Sequence, residues 1–273
     1  MKLGWLSDIH LNFLDEAAAR QFVAGLSSHD ADAWIVSGDI GQADSVCKFL
    51  RSFAAFLRGK TYFTLGNHDF YGGSLADVRE GVRQLTKVVP QLVWLTEANP
   101  QFLDGAVALV GDDSWADARF GNARGTPVVL NDFYLIEELS GLTRANLVGT
   151  LNELGDAAAV RLAPKLERAA APSVCVVLAT HVPPFREAAW HRGRPSDDDW
   201  VPWFACRAVG ETVLRCARSH PEVSFLVLCG HTHGSGVYSP VENVTVRTAE
   251  AEYGEPRVQY VFEVKPRTQG RLV

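Results

Sequence analysis

Residue types that commonly bind metals follow a short apolar run near the start of the chain. A strand is predicted there by Leu3, Trp5 and Leu6. Asp8 and His10 stand where that strand should end, and side chains two positions apart in an extended segment point to the same side. A carboxylate oxygen and an imidazole nitrogen directed at one point suit a divalent metal ion. Alone, the pair is a weak signal, because such short motifs also occur in polar turns.

The same arrangement returns at four later apolar runs, each of which ends in residues able to bind a metal. These residues are Asp39; Asn67, His68 and Asp69; His181; and His231 and His233. In open α/β sheets, side chains that follow the carboxyl ends of separate strands converge at one edge of the sheet. The five strand ends together therefore predict one metal-binding site.

Helical and strand-like patterns alternate along the first third of the chain. Apolar residues recur at helical spacing in 15–26, 46–57 and 75–88, and short apolar runs lie between these segments. This alternation predicts parallel strands with helices packed outside them. A later helical pattern covers 143–171, with Gly149 and Gly155 as expected interruptions and Pro164 as an expected break. The tail alternates apolar and polar residues, which predicts antiparallel strands that close a sheet.

The domain organisation is expected to be simple. The chain of 273 residues shows no internal repeat and no compositional break, so we expect a single domain over 1–273. Long loops are predicted at about 112–140 and 182–203, near the site, and loops of this length often carry function. Asp112 and Asp113 are predicted to be turn residues after a strand, with an approach to the metal site as the alternative.

Composition limits the classes of partner. The hydrophobic fraction of 47% and the charged fraction of 21% are ordinary for a soluble globular chain. The formal net charge of -6 argues against a nucleic-acid binder that uses a broad basic face. No run is long and apolar enough for a membrane span, and no signal-peptide pattern precedes the first strand. Since the five cysteines form no C-x-x-C pair, we expect reduced thiols in a cytoplasmic protein.

The full motif set has a family resemblance. The order D-x-H, G-D, G-N-H-D, a single histidine after an apolar strand, and G-H-T-H resembles that of the calcineurin-like metallophosphoesterase superfamily. The resemblance extends from Leu3 to His233. It implies an α/β fold with four layers, α-β-β-α, in which two mixed β-sheets pack face to face with helices outside. It also implies two divalent metal ions at the strand ends, and the ligand types leave Mn, Fe, Zn, Co and Ni open.

The resemblance also implies which residues bind each metal. The first metal would be bound by Asp8, His10 and His233, and the second by Asn67, His181 and His231. Asp39 would bridge both, since one carboxylate can hold two cations about 3.5–4 Å apart. Asn67 would offer a neutral amide oxygen. Gly66 and Gly230 would let the backbone approach the metals closely.

The chemistry expected at such a centre is hydrolysis. A metal-bridging water would lose a proton near neutral pH and attack phosphorus in line with the leaving oxygen. His68 is not needed as a ligand, so we expect it to stabilise the transition state or protonate the leaving group. A hydrogen-bonded structural histidine is the alternative. Asp69 would orient His68, or cap the helical segment that follows.

Charged and aromatic side chains in the two long loops are the candidates for substrate binding. A phosphate or a remote anionic group is expected to pair with Arg186, His191, Arg192 or Arg194. The alternative partner for these side chains is the acidic run 197–199. Four tryptophans of these loops could stack on a base or ring of the substrate, namely Trp115, Trp190, Trp200 and Trp203. They could instead anchor their loops to the core.

The expected function is metal-dependent hydrolysis of a small phosphodiester or phosphomonoester. A nuclease of the same superfamily is one alternative, and the net charge and the lack of a basic stripe argue against it. A non-catalytic scaffold with the same fold is the other, and the complete ligand set argues against that. The identity of the substrate and the oligomeric state stay open.

Overall fold

The computed structural model describes residues 1–103 and 106–264 of the chain. Its strands are β1 (Lys2–Leu6), β2 (Ala33–Ser37), β3 (Thr61–Thr64), β4 (Leu92–Trp94), β5 (Gln101–Leu103), β6 (Val107–Asp112), β7 (Cys175–Thr180), β8 (Trp190–His191), β9 (Arg194–Pro195), β10 (Ser224–Cys229), β11 (Gly236–Val241), β12 (Val244–Thr248) and β13 (Tyr260–Glu263). Its α-helices are α1 (Glu16–Gly25), α2 (Val46–Phe56), α3 (Leu75–Val88), α4 (Asp132–Leu135), α5 (Arg144–Ala170) and α6 (Arg207–Ser219). Within the described ranges, no helix is both long enough and apolar enough to cross a membrane.

The first sheet has the strand order β13-β1-β2-β3-β4. Strands β1 to β4 are parallel, with Leu3 opposite Ala33 and Trp34 opposite Thr61, as the alternation of helical and strand-like patterns predicts. Their carboxyl ends therefore meet at one edge of the sheet, where the predicted site residues follow. β13 runs antiparallel to β1 and completes the sheet on that side.

The second sheet has the order β11-β12-β10-β7-β6-β5. Its four central strands are parallel, while β5 and β11 pair antiparallel at the two edges. The tail forms the predicted antiparallel pairs, β11 with β12 and β13 with β1, but β12 also runs parallel to β10 on its other side. The reason is the hairpin between β11 and β12, which reverses the chain once more before β12 pairs. β13 then crosses to the first sheet.

The two sheets pack face to face through an apolar layer. Leu3, Trp5 and Ile35 of the first sheet share this layer with Leu109 and Val177 of the second. Each of these side chains is almost fully buried, and burial of apolar surface is the main favourable term in folding. The layer holds the two sheets, and with them the two sets of strand ends, against each other.

Helices cover the outer faces of both sheets. Leu50 and Phe53 of α2 pack in one apolar cluster with residues of the first sheet, and α1 and α3 contribute to the same cluster. Leu162 of α5 and Val213 of α6 pack in another cluster with the second sheet. The predicted four-layer α-β-β-α sandwich is therefore confirmed.

The expected interruptions in the longest helix were wrong, because α5 runs without a break over 27 residues. Thr143 caps its first turn by accepting a hydrogen bond from the Asn146 N–H at 3.3 Å. Pro164 lies on the exposed side, where water can pair the carbonyl left free by its missing N–H. Gly149 is exposed with open space around it, whereas a β-carbon on Gly155 would come 2.5 Å from Cβ of Asp117. Gly155 therefore serves packing, since it lets the first long loop contact the helix.

These two glycines predict opposite effects of the same substitution. We expect Gly149→Ala to raise the free energy of unfolding by up to about 1 kcal/mol, because alanine favours the helix. We expect Gly155→Ala to lower it by about 1–3 kcal/mol, because the added methyl group overlaps with Asp117. Urea denaturation of the metal-free proteins measures both changes. Shifts of the same sign in the two variants would contradict this account of the helix.

Candidate metal centre

The loops after β1, β2 and β10 have an unusual backbone. Five of the seven predicted ligands lie in the left-handed region, with φ of 51° at Asp8, 40° at His10, 53° at Asp39, 71° at His231 and 57° at His233. Residues other than glycine rarely adopt this conformation, which costs about 1–3 kcal/mol each and clusters at functional sites. Cross-loop hydrogen bonds hold the first two loops together, for example from the His10 N–H to the Asp39 carbonyl at 2.9 Å.

One group of ligand atoms comes from Asp8, His10, Asp39 and His233, and all of these atoms lie within 4.8 Å of one another. Nε2 of His10 is 3.1 Å from Nε2 of His233. It is 3.7 Å from Oδ2 of Asp39, and Nε2 of His233 is 3.6 Å from Oδ1 of Asp8. Two imidazole nitrogens and two carboxylates thus face one small volume, as the residues of the first predicted metal should.

A second group forms around the amide oxygen of Asn67. This oxygen is 3.0 Å from Nε2 of His181 and 2.9 Å from Nδ1 of His231. The other nitrogen of each ring faces a backbone carbonyl, at 2.9 Å for Ser37 and 2.8 Å for Trp203. A carbonyl oxygen can only accept a hydrogen bond, so the ring nitrogens that face these carbonyls carry the protons. The other nitrogen of each neutral ring therefore directs a lone pair toward the amide oxygen of Asn67, which also can only accept. A cation between the three atoms resolves this arrangement, so the residues fit a metal.

Asp39 lies between the two groups. Its Oδ2 faces His10, and its Oδ1 is 3.4 Å from Nε2 of His181. Oδ1 also accepts a hydrogen bond from the backbone N–H of His68 at 2.9 Å. Burial, together with the nearby carboxylate of Asp8, raises the pKa of Asp39 well above its usual value. Bound cations would instead stabilise the ionised carboxylate and lower its pKa, which is what the expected role of a metal bridge requires.

His68 lies beside the first of these groups. Its ring stacks on Tyr71 with centroids 4.2 Å apart and meets the ring of His10 edge-on at 4.6 Å. Burial lowers the pKa of His68 to about 3, and the neighbouring histidines lower it further. The imidazole of His68 is therefore neutral at physiological pH.

Asp69 has neither of the two roles predicted for it. Its carboxylate accepts hydrogen bonds from the backbone N–H groups of Ile40 at 2.9 Å, Gly41 at 2.7 Å and Gly66 at 2.9 Å. The cap of α3 is Ser74, whose hydroxyl accepts from the Asp77 N–H at 3.0 Å. Asp69 instead ties the loop after β2 to the loop after β3, so it sets the distance between Asp39 and Asn67.

Removal of this tie should cost stability. In Asp69→Asn, the amide group places an N–H donor against at least one backbone N–H, so we expect the free energy of unfolding to fall by about 1–3 kcal/mol. Urea denaturation without metal measures the change. Glu153→Gln, at an exposed position of α5, makes the same chemical change and should stay within about 0.5 kcal/mol of wild type. Equal stabilities of the two variants would contradict the role of Asp69.

Asp112 and Asp113 brace the strand ends behind the centre. Oδ1 of Asp112 accepts from the Ser114 N–H at 2.9 Å, as in the predicted turn, and its carboxylate also receives two hydrogen bonds from Arg161. The turn prediction was wrong for the side chain of Asp113. That carboxylate is buried and accepts three hydrogen bonds, from the Leu65 N–H, Trp94 Nε1 and Thr96 Oγ1. Leu65 is two residues before Asn67, so Asp113 supports a ligand loop from behind.

The loop residues predicted to bind substrate lie in different environments. Arg186 pairs with Asp198 at 2.8 Å, which is the alternative partner. Trp115 is 5% exposed and packs on Phe70, which fits the anchoring alternative, and its contact with substrate stays a prediction. Arg192 is exposed in the turn between β8 and β9.

His191 is the loop residue connected to the metal centre. Its ring stacks with Trp200 at 6.1 Å, and Trp200 stacks with Phe204 at 5.5 Å. Phe204 in turn meets the ring of His231 edge-on at 5.3 Å. This row of rings forms one wall that leads from the second loop to the second ligand group.

Two residues that the motifs did not indicate also contact the centre. Asp132 of α4 accepts hydrogen bonds at Oδ1 from Asn67 Nδ2 at 2.8 Å and from the Tyr71 hydroxyl at 2.5 Å, which turns the amide oxygen of Asn67 toward the histidines. Tyr253 packs against His10 with centroids 4.6 Å apart. No spacing rule relates either position to the ligand motifs, so the sequence carried no signal for them.

Comparisons with known proteins identify the family of this chain. The family model of the calcineurin-like phosphoesterases matches residues 1–235. None of the curated proteins compared by sequence matches the chain. Among solved structures, a phosphopantetheinyl hydrolase from Mycobacterium tuberculosis superposes with a TM-score of 0.69 at 17% identity, covering 99% of this chain and 98% of that chain.

Two further solved structures share the fold at lower similarity. A dimetal phosphatase from Danio rerio has a TM-score of 0.56 at 14% identity and covers 92% of this chain and 87% of its own. An anchor protein of the inner membrane complex of Plasmodium has a TM-score of 0.50 at 12% identity, covering 96% and 77%. At these identities the likeness shows the fold, while the family model also spans all the predicted ligand positions. The chain therefore belongs to the calcineurin-like phosphoesterase family.

Proposed function

We propose that this protein hydrolyses a small phosphoester with two divalent metal ions bound at the centre described above. The observation that carries the proposal is the second ligand group, where Asn67, His181 and His231 present three acceptor atoms to one point. The position of Asp39 between the two groups supports a pair of metals rather than one. Family membership supports metal-dependent phosphoester hydrolysis as the general class of reaction.

Different residues would have different roles in such a reaction. Two bound divalent ions would supply an activated water and offset the negative charge of the phosphoryl group. The carbonyls of Ser37 and Trp203 fix which ring nitrogen His181 and His231 present. His68 is neutral, so its role in the proposal is to donate a hydrogen bond to a phosphoryl or leaving oxygen, rather than to act as an imidazolium acid.

Two surfaces beside the centre are proposed to hold the rest of the substrate. The row of rings from His191 to Phe204 offers an apolar wall, and Arg192 lies in the same loop with a cation for an anionic group. Tyr253 stands on the other side, against His10. Arg186 is not included, because Asp198 already pairs with it.

The first experiment compares bis(p-nitrophenyl) phosphate with p-nitrophenyl phosphate, with manganese added. Hydrolysis of the diester supports a phosphodiesterase, and hydrolysis of the monoester alone supports a phosphatase. A phosphopantetheinyl phosphoester is a useful third substrate, since a structural relative is a phosphopantetheinyl hydrolase. A protein that holds two metals and cleaves none of the three would overturn the proposal. Failure to bind any metal would favour the non-catalytic alternative.

Tyr253 gives a test of the proposed substrate surface. Its hydroxyl is 3.5 Å from Nε2 of His68, and its ring covers His10 and His233. We expect Tyr253→Phe to lower kcat/KM about 3–10-fold, the usual worth of one hydrogen bond, and Tyr253→Ala to lower it further. Tyr260→Phe is the control, because that ring stacks on Trp5 away from the centre. Unchanged kinetics in both Tyr253 variants would remove this residue from the surface.

A further inference from the structure

A second cluster of metal-binding side chains lies where α5 and α6 end. It consists of Glu167 on α5 with Cys216 and His220 at the end of α6, and their ligand atoms all lie within 4.8 Å of one another. α5 leads into the start of β7, and α6 leads into the start of β10. The catalytic residues follow the opposite ends of those strands, so the two sites are separated by the length of the sheet. None of the three residues belongs to the motif set of the catalytic centre.

The three side chains already lie close together. Nε2 of His220 is 3.0 Å from Oε2 of Glu167, and the sulfur of Cys216 lies within 4.8 Å of a ligand atom of each of these two residues. Cys216 and His220 are four positions apart at the end of α6, which places them on the same face. Cys216 itself is 2% exposed, whereas the side chain of Glu167 is 51% exposed. The cluster therefore opens to solvent through Glu167, which leaves a path for an ion.

The surroundings of His220 are arranged like those of a ligand histidine. Its second ring nitrogen, Nδ1, is 3.9 Å from Oε1 of Glu222, and histidines that bind metals usually turn their free N–H toward a carboxylate. The side-chain amide of Asn243 donates hydrogen bonds to the carbonyls of Ala217, His220 and Val223. These bonds hold the turn after α6, so the position of the His220 ring does not depend on an ion.

We propose that Glu167, Cys216 and His220 bind a thiophilic divalent cation of the zinc class, with solvent as the fourth ligand. Thiolate, imidazole and carboxylate bind zinc at about 2.0–2.3 Å in a tetrahedron, and ligand atoms that already lie within 4.8 Å of one another need only small shifts to reach that geometry. On binding, the Cys216 thiol releases its proton to solvent and the thiolate sulfur bonds to the ion. The ion would join α5 to α6 across the outer layer of the second sheet.

The alternative is that the cluster binds no ion. Glu167 and His220 would then form an ordinary surface ion pair, and Cys216 would pack between two helices as a small apolar residue. The two alternatives differ in whether the sulfur of Cys216 binds a metal ion. The seven predicted ligands of the catalytic centre include no cysteine, so a metal–sulfur signal separates this cluster from that centre.

The test is a titration of the metal-free, full-length protein with Co²⁺, followed by the ultraviolet charge-transfer absorption that arises only when a thiolate binds cobalt. Wild type should show the band, and Zn²⁺ should abolish it by displacing cobalt. Cys216→Ser should lack the band, and Glu167→Gln should bind cobalt about 10–100-fold more weakly at this site. Cys47→Ser, which removes a thiol of α2 far from the cluster, should keep the band unchanged.

Two results would overturn the proposal: no charge-transfer band in wild type at saturating cobalt, or an undiminished band in Cys216→Ser. If Cys216→Ser does not fold, Glu167→Gln replaces it, because that side chain is half exposed and its loss should not disturb the core. An unchanged cobalt affinity in Glu167→Gln would then count against the site. The charge-transfer band does not depend on phosphoester hydrolysis. Failure of this proposal can therefore be distinguished from failure of the proposed function.

Discussion

Asp39→Asn is expected to lower kcat by about 10³-fold and, at the same time, to make the metal-free protein more stable at pH 8. The loss of activity follows from the position of the carboxylate between the two ligand groups, since a neutral amide cannot neutralise two cations and offers only one oxygen. The amide oxygen can still accept the hydrogen bond from the His68 N–H, so the loop around it should keep its conformation.

The gain in stability follows from the raised pKa of Asp39. Without metal, this buried carboxyl group lies near Asp8, and its folded-state pKa is well above that of the unfolded chain. A group of this kind stabilises the fold at low pH and loses that contribution as pH rises through the folded-state pKa. Asparagine does not titrate, so the metal-free variant avoids the loss. The stability difference between variant and wild type should therefore grow from pH 5 to pH 8.

Thermal unfolding with and without a chelator, at pH 5 and pH 8, measures this effect beside metal content and kcat. With metals bound, the variant should instead be less stable than wild type, because it lacks one ligand and wild type gains the binding energy of two ions. Glu153→Gln serves as the matched control for a carboxylate-to-amide change and should leave activity unaltered. A metal-free Asp39→Asn protein that is less stable than wild type at pH 8 would contradict the burial argument.

His68→Ala is expected to lower kcat by about 10²–10³-fold while both metals stay bound. The ring of His68 lies beside His10 but outside both ligand groups, so its loss should remove a transition-state contact rather than an ion. His29→Ala is the control, since that exposed ring contacts only Trp34 among the described aromatic neighbours. Metal analysis of the purified variants separates the two explanations, and a variant that has lost a metal would show that His68 is a ligand.

The pH profile tests which form of His68 acts. Burial holds its pKa at about 3, so the imidazole stays neutral between pH 5.5 and 8. The ratio of wild-type to His68→Ala kcat should therefore be constant across this range. If His68 acted as an imidazolium acid, the ratio would fall as pH rises, because the active form would be lost.

The sequence by itself determined the class of fold and indicated the candidate ligands. Asp8 and His10, or His231 and His233, follow the carboxyl ends of strands, and in a parallel sheet those ends meet at one edge. The left-handed backbone of all four residues, which directs their side chains, was not predicted. The alternation of helices and strands predicted parallel strands with helices outside them, and the resemblance of the motif set implied the four layers. The prediction of interruptions in α5 failed because it considered only the residue types. Gly155 and Pro164 were expected to interrupt α5, but packing against Asp117 and exposure to solvent decide what those residues do.

Only the tertiary structure decided how the ligands are oriented and what surrounds them. The Trp203 carbonyl selects the nitrogen that His231 presents, Asp132 turns the amide of Asn67, and Tyr253 covers His10. The cluster of Glu167 with Cys216 and His220 likewise joins two helices that are far apart along the chain. These contacts depend on how loops and helices pack across long sequence separations, and no periodicity in the chain records which distant side chains will meet.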